Sequence, residues 1–141
     1  MSVRPFCTVT DYEVVVSRAA GGATVAPAAV ALSAGTSEIV RRSADGVGPI
    51  HALDEALRAC LRSKYPEIDR ISLCDYAVSV VDGAKATGAR VHVLITATDG
   101  DRTWDAGCIS ANIVEASFEA LCSSVVMGLM GLAEVVPRAV V

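Results

Sequence analysis

A glycine-rich turn in front of a helix is the feature of this sequence best suited to bind a ligand. The turn is Gly46-Val47-Gly48-Pro49, and Ile50 and His51 follow it. Glycines let a ligand approach backbone N–H groups closely, and proline suits the first turn of a helix. A helix start presents unpaired N–H donors and partial positive charge, which favour a carboxylate. A tight strand-to-helix turn without a ligand explains the same residues, so the motif alone leaves both interpretations open.

The other reactive residue types do not form a recognised catalytic or metal-binding pattern. The turn lacks the lysine of a P-loop and the third glycine of a dinucleotide fingerprint. Only two histidines occur, His51 and His92, and no HxH, HExxH or CxxC spacing is present. For Asp11 and Asp75, which are 64 residues apart and are each followed by a tyrosine, a structural role is favoured over a catalytic pair. We therefore predict no catalytic residues, no metal and no cofactor for this chain.

Composition limits the kind of partner. The 141 residues are 52% hydrophobic and 20% charged, with a net charge of −4 and no basic stripe for nucleic acid. We see no signal peptide, and the apolar stretch Val125–Val136 is too short to span a bilayer. The five cysteines are expected to be free thiols in a reducing compartment. These features predict a cytoplasmic protein that binds neither nucleic acid nor membrane and that covers part of its apolar surface by self-association.

An internal repeat must position the turn. The heptapeptide Thr10–Val16 recurs as Cys74–Val80, and the hexapeptide Ala52–Leu57 recurs as Ala116–Leu121. Both pairs are offset by 64 residues, so no net insertion separates the matched blocks. A constant offset of this length indicates two copies of one supersecondary unit.

Each copy is predicted to contain three strands and one helix. Alternating and β-branched patterns predict the strands Phe6–Ser17, Thr24–Ser33, Ser37–Arg42, Ile71–Val81, Ala89–Ala97 and Arg102–Ile109. Helical spacing predicts one helix from Pro49 to the region before Pro66, and another that starts near Asn112, is capped by Ser110 and ends at about Glu134. Asp99-Gly100 predicts a two-residue hairpin turn.

These elements predict the α+β class. We expect two pseudo-symmetric βββα units, at about residues 6–66 and 70–134, with antiparallel sheets and the helices on one face. We expect the units to form a single domain over residues 1–141 that dimerises.

The order of several short motifs carries a resemblance to a known family. The motifs are Gly46-Val47-Gly48-Pro49-Ile50-His51-Ala52-Leu53, Lys64-Tyr65-Pro66-Glu67-Ile68, Leu73-Cys74-Asp75-Tyr76, Asp82-Gly83 through Thr87, Val91-His92-Val93-Leu94-Ile95, Asp99-Gly100-Asp101-Arg102-Thr103-Trp104 and Asn112-Ile113-Val114-Glu115-Ala116-Ser117. Over about residues 6–130 the chain resembles the C-terminal regulatory domain of α-isopropylmalate synthases and citramalate synthases, the LeuA dimerisation domain.

The resemblance implies a regulatory function. It implies a homodimer that binds leucine or isoleucine as a feedback effector in branched-chain amino acid biosynthesis. The acetyl-CoA-dependent acyltransferase activity of such enzymes belongs to a TIM-barrel domain that this sequence does not contain. The resemblance therefore implies no catalytic activity for this chain alone, and a separate synthase catalytic chain as a possible partner.

By matching position, the resemblance also implies a set of ligand-binding residues. They fall on the glycine turn and helix start, on the fourth strand, and after the following loop: Gly46, Gly48, Ile50, His51, Leu73, Tyr76, Val80, Thr87 and Val91. Leu73, Val80 and Val91 suit an aliphatic side chain, and the helix start suits a carboxylate. Tyr76 would supply a flat wall with a polar tip.

Three positions depart from the family pattern and keep other functions open. Val47 stands where Asn is usual, His51 where an acid suited to an ammonium group is common, and Ala111 where Glu is usual. One alternative is a dimerisation scaffold or repurposed small-molecule-binding protein that no longer senses branched-chain amino acids. A less favoured one is a small enzyme that uses His51, Tyr76 and Asp75.

Overall fold

The computed structural model describes the backbone of residues 2–3 and 6–140 and the side chains of residues 6–133. Over these ranges the chain forms nine β-strands, two α-helices and two short 3₁₀ segments. It divides into two compact units, residues 1–66 and 67–141. Each unit pairs an antiparallel sheet with one α-helix, which confirms the predicted α+β class and βββα repeat.

The first unit contains a four-stranded sheet, a small hairpin and one helix. Its strands are β1 (Ser2–Val3), β2 (Thr8–Val14), β3 (Ser17–Arg18), β4 (Thr24–Val25), β5 (Ala28–Ser33) and β6 (Val40–Ala44). The sheet order is β1-β2-β5-β6, and β3 pairs separately with β4. Helix α1 (Pro49–Arg62) packs on β5 and β6. Its buried stripe has the predicted helical spacing: Ala52, Leu53, Ala56, Leu57, Cys60 and Leu61.

Two of the predicted strands in this unit are divided in the structure. The predicted Phe6–Ser17 strand forms β2 and β3, and the predicted Thr24–Ser33 strand forms β4 and β5. The second break includes Pro27, which has no N–H to donate to a sheet. Its carbonyl still accepts the Val15 N–H at 3.1 Å. Between these two breaks the chain leaves the main sheet, and β3 and β4 form a separate hairpin.

The second unit contains a three-stranded sheet and a long helix. The strands are β7 (Ser72–Val80), β8 (Val91–Thr98) and β9 (Thr103–Ser110), in that order across the sheet. Helix α2 (Ile113–Val140) packs across β8 and β9. It continues beyond the predicted end near Glu134, and Pro137, which has no N–H to donate, does not end it. The 3₁₀ segments are Pro66–Arg70 and Gly83–Gly88.

The 64-residue offset is visible in the detail of the two units. A bulge inserts Thr10 into β2 between Val9 and Asp11, and another inserts Cys74 into β7 between Leu73 and Asp75. Helices α1 and α2 begin at Pro49 and Ile113, also 64 residues apart. Because bulges re-aim side chains, their retention in both copies matters for the residues that follow them.

Helix α2 is the most apolar element. The stretch Ile113–Ala133 is long and apolar enough to cross a membrane by length and composition, with a mean hydropathy of 1.5. However, 61% of its apolar window is buried inside the structure, against a sheet it contacts along β8 and β9. The apolar character of this helix is therefore accounted for by its burial against the sheet.

The turn between β8 and β9 is held by one carboxylate. Asp99 Oδ1 accepts the N–H groups of Asp101 at 2.9 Å and Arg102 at 2.8 Å, and Oδ2 accepts from Arg102 Nη2 at 3.2 Å. The predicted hairpin forms here: Thr98 pairs with Thr103, and the Asp99 N–H donates to the Arg102 carbonyl at 3.2 Å, so that Gly100 and Asp101 lie at the tip. The two N–H groups, and next the Arg102 guanidinium, lower the pKa of Asp99 to about 2.

Replacing Asp99 should therefore reduce stability in a pH-dependent way. A carboxylate whose pKa is lower in the folded than in the unfolded chain stabilises the fold above the unfolded pKa of about 3.9. That contribution is lost as the pH falls through the folded value. We expect Asp99→Ala to lower Tm by several degrees at pH 7, and the difference from the native chain to shrink between pH 4 and about 2. Thermal melts at stepped pH check this, and a pH-independent difference would contradict it.

Candidate functional site

The first group of predicted site residues forms a tight turn in the first unit. Gly46 lies against the start of α1: a Cβ added there would be 2.5 Å from the Ala52 backbone nitrogen and 2.9 Å from Ala52 Cα. A side chain at position 46 would therefore collide with backbone. The turn places Gly48 at the N-cap, Pro49 at the first helical position, and Ile50 and His51 within the first turn.

The start of α1 lacks a side-chain cap in the described structure. Gly48 has an extended backbone and no side chain to donate or accept. The equivalent start of α2, 64 residues later, is capped: Asn112 Oδ1 accepts the N–H groups of Val114 at 2.9 Å and Glu115 at 3.1 Å. Asn112 is therefore the N-cap, and the prediction that Ser110 caps this helix is wrong. The Ser110 hydroxyl instead accepts the Asn112 N–H at 3.0 Å. Of the two related helix starts, the one in the glycine turn leaves its donors uncapped by side chains.

His51 folds back over this turn. Its Nδ1 accepts the N–H of Val47, the residue before the N-cap, at 3.1 Å. The opposite nitrogen, Nε2, lies 3.5 Å from Glu55 Oε1 one helical turn further on. Because Nδ1 is an acceptor, the proton of a neutral ring lies on Nε2, facing Glu55. The imidazole therefore links the turn to a carboxylate on the same helix.

The second group lies in the second unit, and four of its members share one sheet face. Leu73 pairs with Ala97, Tyr76 with Ile95 and Val80 with Val91. Directly paired residues of antiparallel strands point to the same side. Ala97 and Ile95 are fully buried on the side that α2 covers. Leu73 and Tyr76 would alternate to opposite faces in a regular strand, and the bulge at Cys74 places them on the same one.

The helix-facing side of β7 is open. Tyr76 is 43% exposed, Val78 41% and Val80 60%, because α2 packs across β8 and β9 and leaves this edge strand uncovered. The Tyr76 hydroxyl is 2.7 Å from Ser117 Oγ, on a fully buried serine of α2. The ring is therefore fixed at one end by the helix, with apolar side chains beside it along the strand. Leu73, Tyr76, Val78, Val80 and Val91 thus form an apolar surface on the second unit, which we call the shelf.

Thr87 lies apart from the shelf, on the loop between β7 and β8. Its side chain is exposed, and the preceding Ala86 has a positive φ of 52°. Asp82 closes the loop: Oδ1 accepts the Arg90 N–H at 2.6 Å, and this bond lowers the pKa of the Asp82 carboxyl. Thr87 is thus on the loop that joins the strand ends carrying Val80 and Val91, with no described contact to either.

Sequence reasoning missed three residues of these two groups. Glu55 was noted only as part of a repeated hexapeptide, although its spacing of four from His51 on a helix is a recognisable signal. Val78 follows Tyr76 by two residues on the same face, which strand periodicity could have indicated. Ser117 had no signal of its own, because its partner Tyr76 comes from a distant strand.

Comparison with known proteins gives a match over nearly the whole chain. A family model described as the LeuA allosteric (dimerisation) domain matches residues 4–129. The (R)-citramalate synthase of Aquifex aeolicus is 44% identical over 105 residues, covering 67% of this chain and 20% of the relative. That of Synechocystis is 43% identical over 86 residues, covering 61% and 16%. The chain therefore spans about one fifth or less of the length of these curated relatives.

Proposed function

The chain belongs to the family of LeuA allosteric (dimerisation) domains, and we propose that it forms a homodimer that binds leucine or isoleucine as a feedback effector. It would regulate the catalytic part of a citramalate synthase or isopropylmalate synthase type of enzyme in the cytoplasm, in the same polypeptide or as a separate chain. The observation that carries this proposal is the family match over residues 4–129. The geometry of the two residue groups supports it.

The glycine turn is suited to the carboxylate of an amino acid. Gly46 brings the chain close against α1, and the absence of a side-chain cap leaves the donors of the first helical turn for another acceptor. The partial positive charge of the helix start favours an anion. We assign the main-chain groups of Gly46, Gly48, Ile50 and His51 to carboxylate recognition.

The shelf on the second unit is suited to a branched aliphatic side chain. Leu73, Val80 and Val91 present methyl groups on one face, and the Tyr76 ring forms a wall whose hydroxyl is occupied by Ser117. Burying such a side chain stabilises a complex by roughly 1.5–3 kcal/mol. Thr87, exposed on the loop between β7 and β8, would contribute a hydroxyl to the ligand.

Calorimetric titration of the purified chain with leucine, isoleucine and valine tests the proposal. We expect about one ligand per subunit, a preference for one amino acid, and a rise in Tm at saturating ligand because binding to the native state stabilises it. Light scattering should give the mass of a dimer. If all three amino acids fail to bind a folded dimer, effector binding is rejected.

A dimerisation scaffold without an effector is the second candidate, and His51 is the observation that favours it. Its imidazole already accepts one N–H of the glycine turn, that of Val47, at 3.1 Å. A ligand carboxylate that needs this donor must displace the ring. A dimer that binds none of the amino acids would support this candidate.

Supplying α1 with the cap that α2 already has should separate stability from ligand binding. Gly48→Asn places an amide where Asn112 stands in the second repeat, and replacing an N-cap glycine by asparagine adds roughly a few tenths of a kcal/mol of stability. The same amide would occupy the donors that we assign to the effector carboxylate. We expect a higher Tm and at least tenfold weaker amino-acid binding, measured by melting and calorimetry. Unchanged affinity in the stabilised variant would contradict the carboxylate assignment.

A further inference from the structure

The glycine turn supplies donors for a carboxylate, but an α-amino acid also carries an ammonium group that needs an acceptor, preferably a negative one. His51, at the end of the turn, provides no negative charge. Its Nδ1 is already engaged by the Val47 N–H, and its Nε2 faces Glu55 Oε1 at 3.5 Å. The ring therefore connects the turn to a carboxylate but does not replace one.

We propose that Glu55 is the carboxylate that binds the effector's ammonium group, and that His51 is a positioning residue that holds Glu55 toward the glycine turn. This inference rests on the proposed function, since it names a further residue of the same site. The Glu55 side chain is 47% exposed, so it is accessible to a ligand, and the imidazole is its partner in the described structure. At 3.5 Å from Oε1, the imidazole Nε2 is near enough to orient the Glu55 carboxylate, and the imidazole carries no negative charge that would compete for the ammonium group.

Two other acidic residues lie close to Glu55 in sequence, and the structure makes both less suitable for binding the ammonium group. Asp54 accepts from Arg58 Nε at 2.8 Å, and the two side chains are only 13% and 11% exposed. Its charge is thus already compensated inside the fold. Asp45 is exposed and directly precedes the turn, but no described side chain fixes it. Asp45 has the same charge and lies beside the turn, which makes it a matched control.

The experiment compares ligands with and without the ammonium group. The native chain, E55Q and D45N are titrated with leucine, isoleucine and valine, and with 4-methylpentanoate, 3-methylpentanoate and 3-methylbutanoate. A charge-assisted hydrogen bond predicts that E55Q binds the preferred amino acid roughly tenfold more weakly. Its affinity for the matching carboxylic acid should stay within about twofold, and D45N should resemble the native chain for both ligand types. Melting curves verify that each variant is folded.

His51 is tested by a double-mutant cycle on the same ligands. H51A should weaken amino-acid binding in the native background and have no further effect in E55Q, because a residue that acts through Glu55 has nothing left to position. Additive effects of H51A and E55Q would overturn the positioning role. Equal amino-acid affinities of E55Q and the native chain would overturn the Glu55 assignment alone, whereas failure of the native chain to bind any amino acid would overturn the proposed function itself.

Discussion

Gly46→Ala is expected to destabilise the first unit and to abolish effector binding. The added Cβ would lie 2.5 Å from the Ala52 nitrogen, 2.9 Å from Ala52 Cα and 2.9 Å from the His51 carbonyl carbon. All three are backbone atoms of α1, so no side-chain rotation relieves the collision and the helix start must move. Overpacking of this kind costs about 3 kcal/mol, and we expect Tm to fall by roughly 10 °C. Thermal melting and calorimetric titration measure the two effects.

Gly48→Ala is the matched control. Its Cβ would have nothing within 4 Å, and the backbone of Gly48 is extended, which any residue adopts. The loss of a favourable N-cap residue costs at most about 1 kcal/mol. Equal destabilisation by the two substitutions would show that the close approach of Gly46 to α1 is not what the turn requires.

Most of the fold could be predicted from the sequence because the repeat supplied each pattern twice. The weak third strand of the first unit, β6, gained support from β9 at the same place in the second copy. Helix α1 followed from apolar spacing and Pro49. Pro27 marks the break at Ala26–Pro27, but the break at Val15–Val16 could not be read from the sequence, since the residues around it are as β-branched and apolar as those of a continuous strand. Pairing with a neighbouring strand decides where such a segment ends.

The site was predicted less completely than the fold. The glycine turn is local in sequence, so its helix-capping position could be anticipated. The common face of Leu73 and Tyr76 could not, because a spacing of three gives opposite faces unless a bulge intervenes. The hydrogen bond from the Val47 N–H to His51 Nδ1 depends on a rotamer that no residue pattern specifies. The resemblance to the family indicates which positions belong to the ligand site. Only the structure shows which of these residues already contact one another.

Gly128→Ala is expected to destabilise the second unit although it places a better helix former in α2. A Cβ at this position would lie 2.6 Å from both Ile71 Cδ1 and Trp104 Cζ2. Ile71 is almost fully buried, and Trp104 is held by a 2.8 Å hydrogen bond from Nε1 to the Ser124 carbonyl, so neither side chain moves away freely. Overpacking costs about 1–3 kcal/mol, which exceeds the helix-propensity gain of about 1 kcal/mol. We expect Tm to fall by several degrees.

Gly131→Ala, one turn further along α2, separates packing from propensity. The group closest to its added Cβ is the Arg102 guanidinium, the far end of a flexible side chain that is about half exposed. Arg102 can rotate away at the loss of its contact with Asp99, whose carboxylate keeps two backbone N–H donors, while the helix backbone keeps the full propensity gain. We expect a Tm equal to or above that of the native chain. If Gly128→Ala were also neutral or stabilising in the same melting experiment, the close packing of Ile71 and Trp104 on α2 would be wrong. If both variants were destabilised alike, the residues around Arg102 would be as constrained as the buried core.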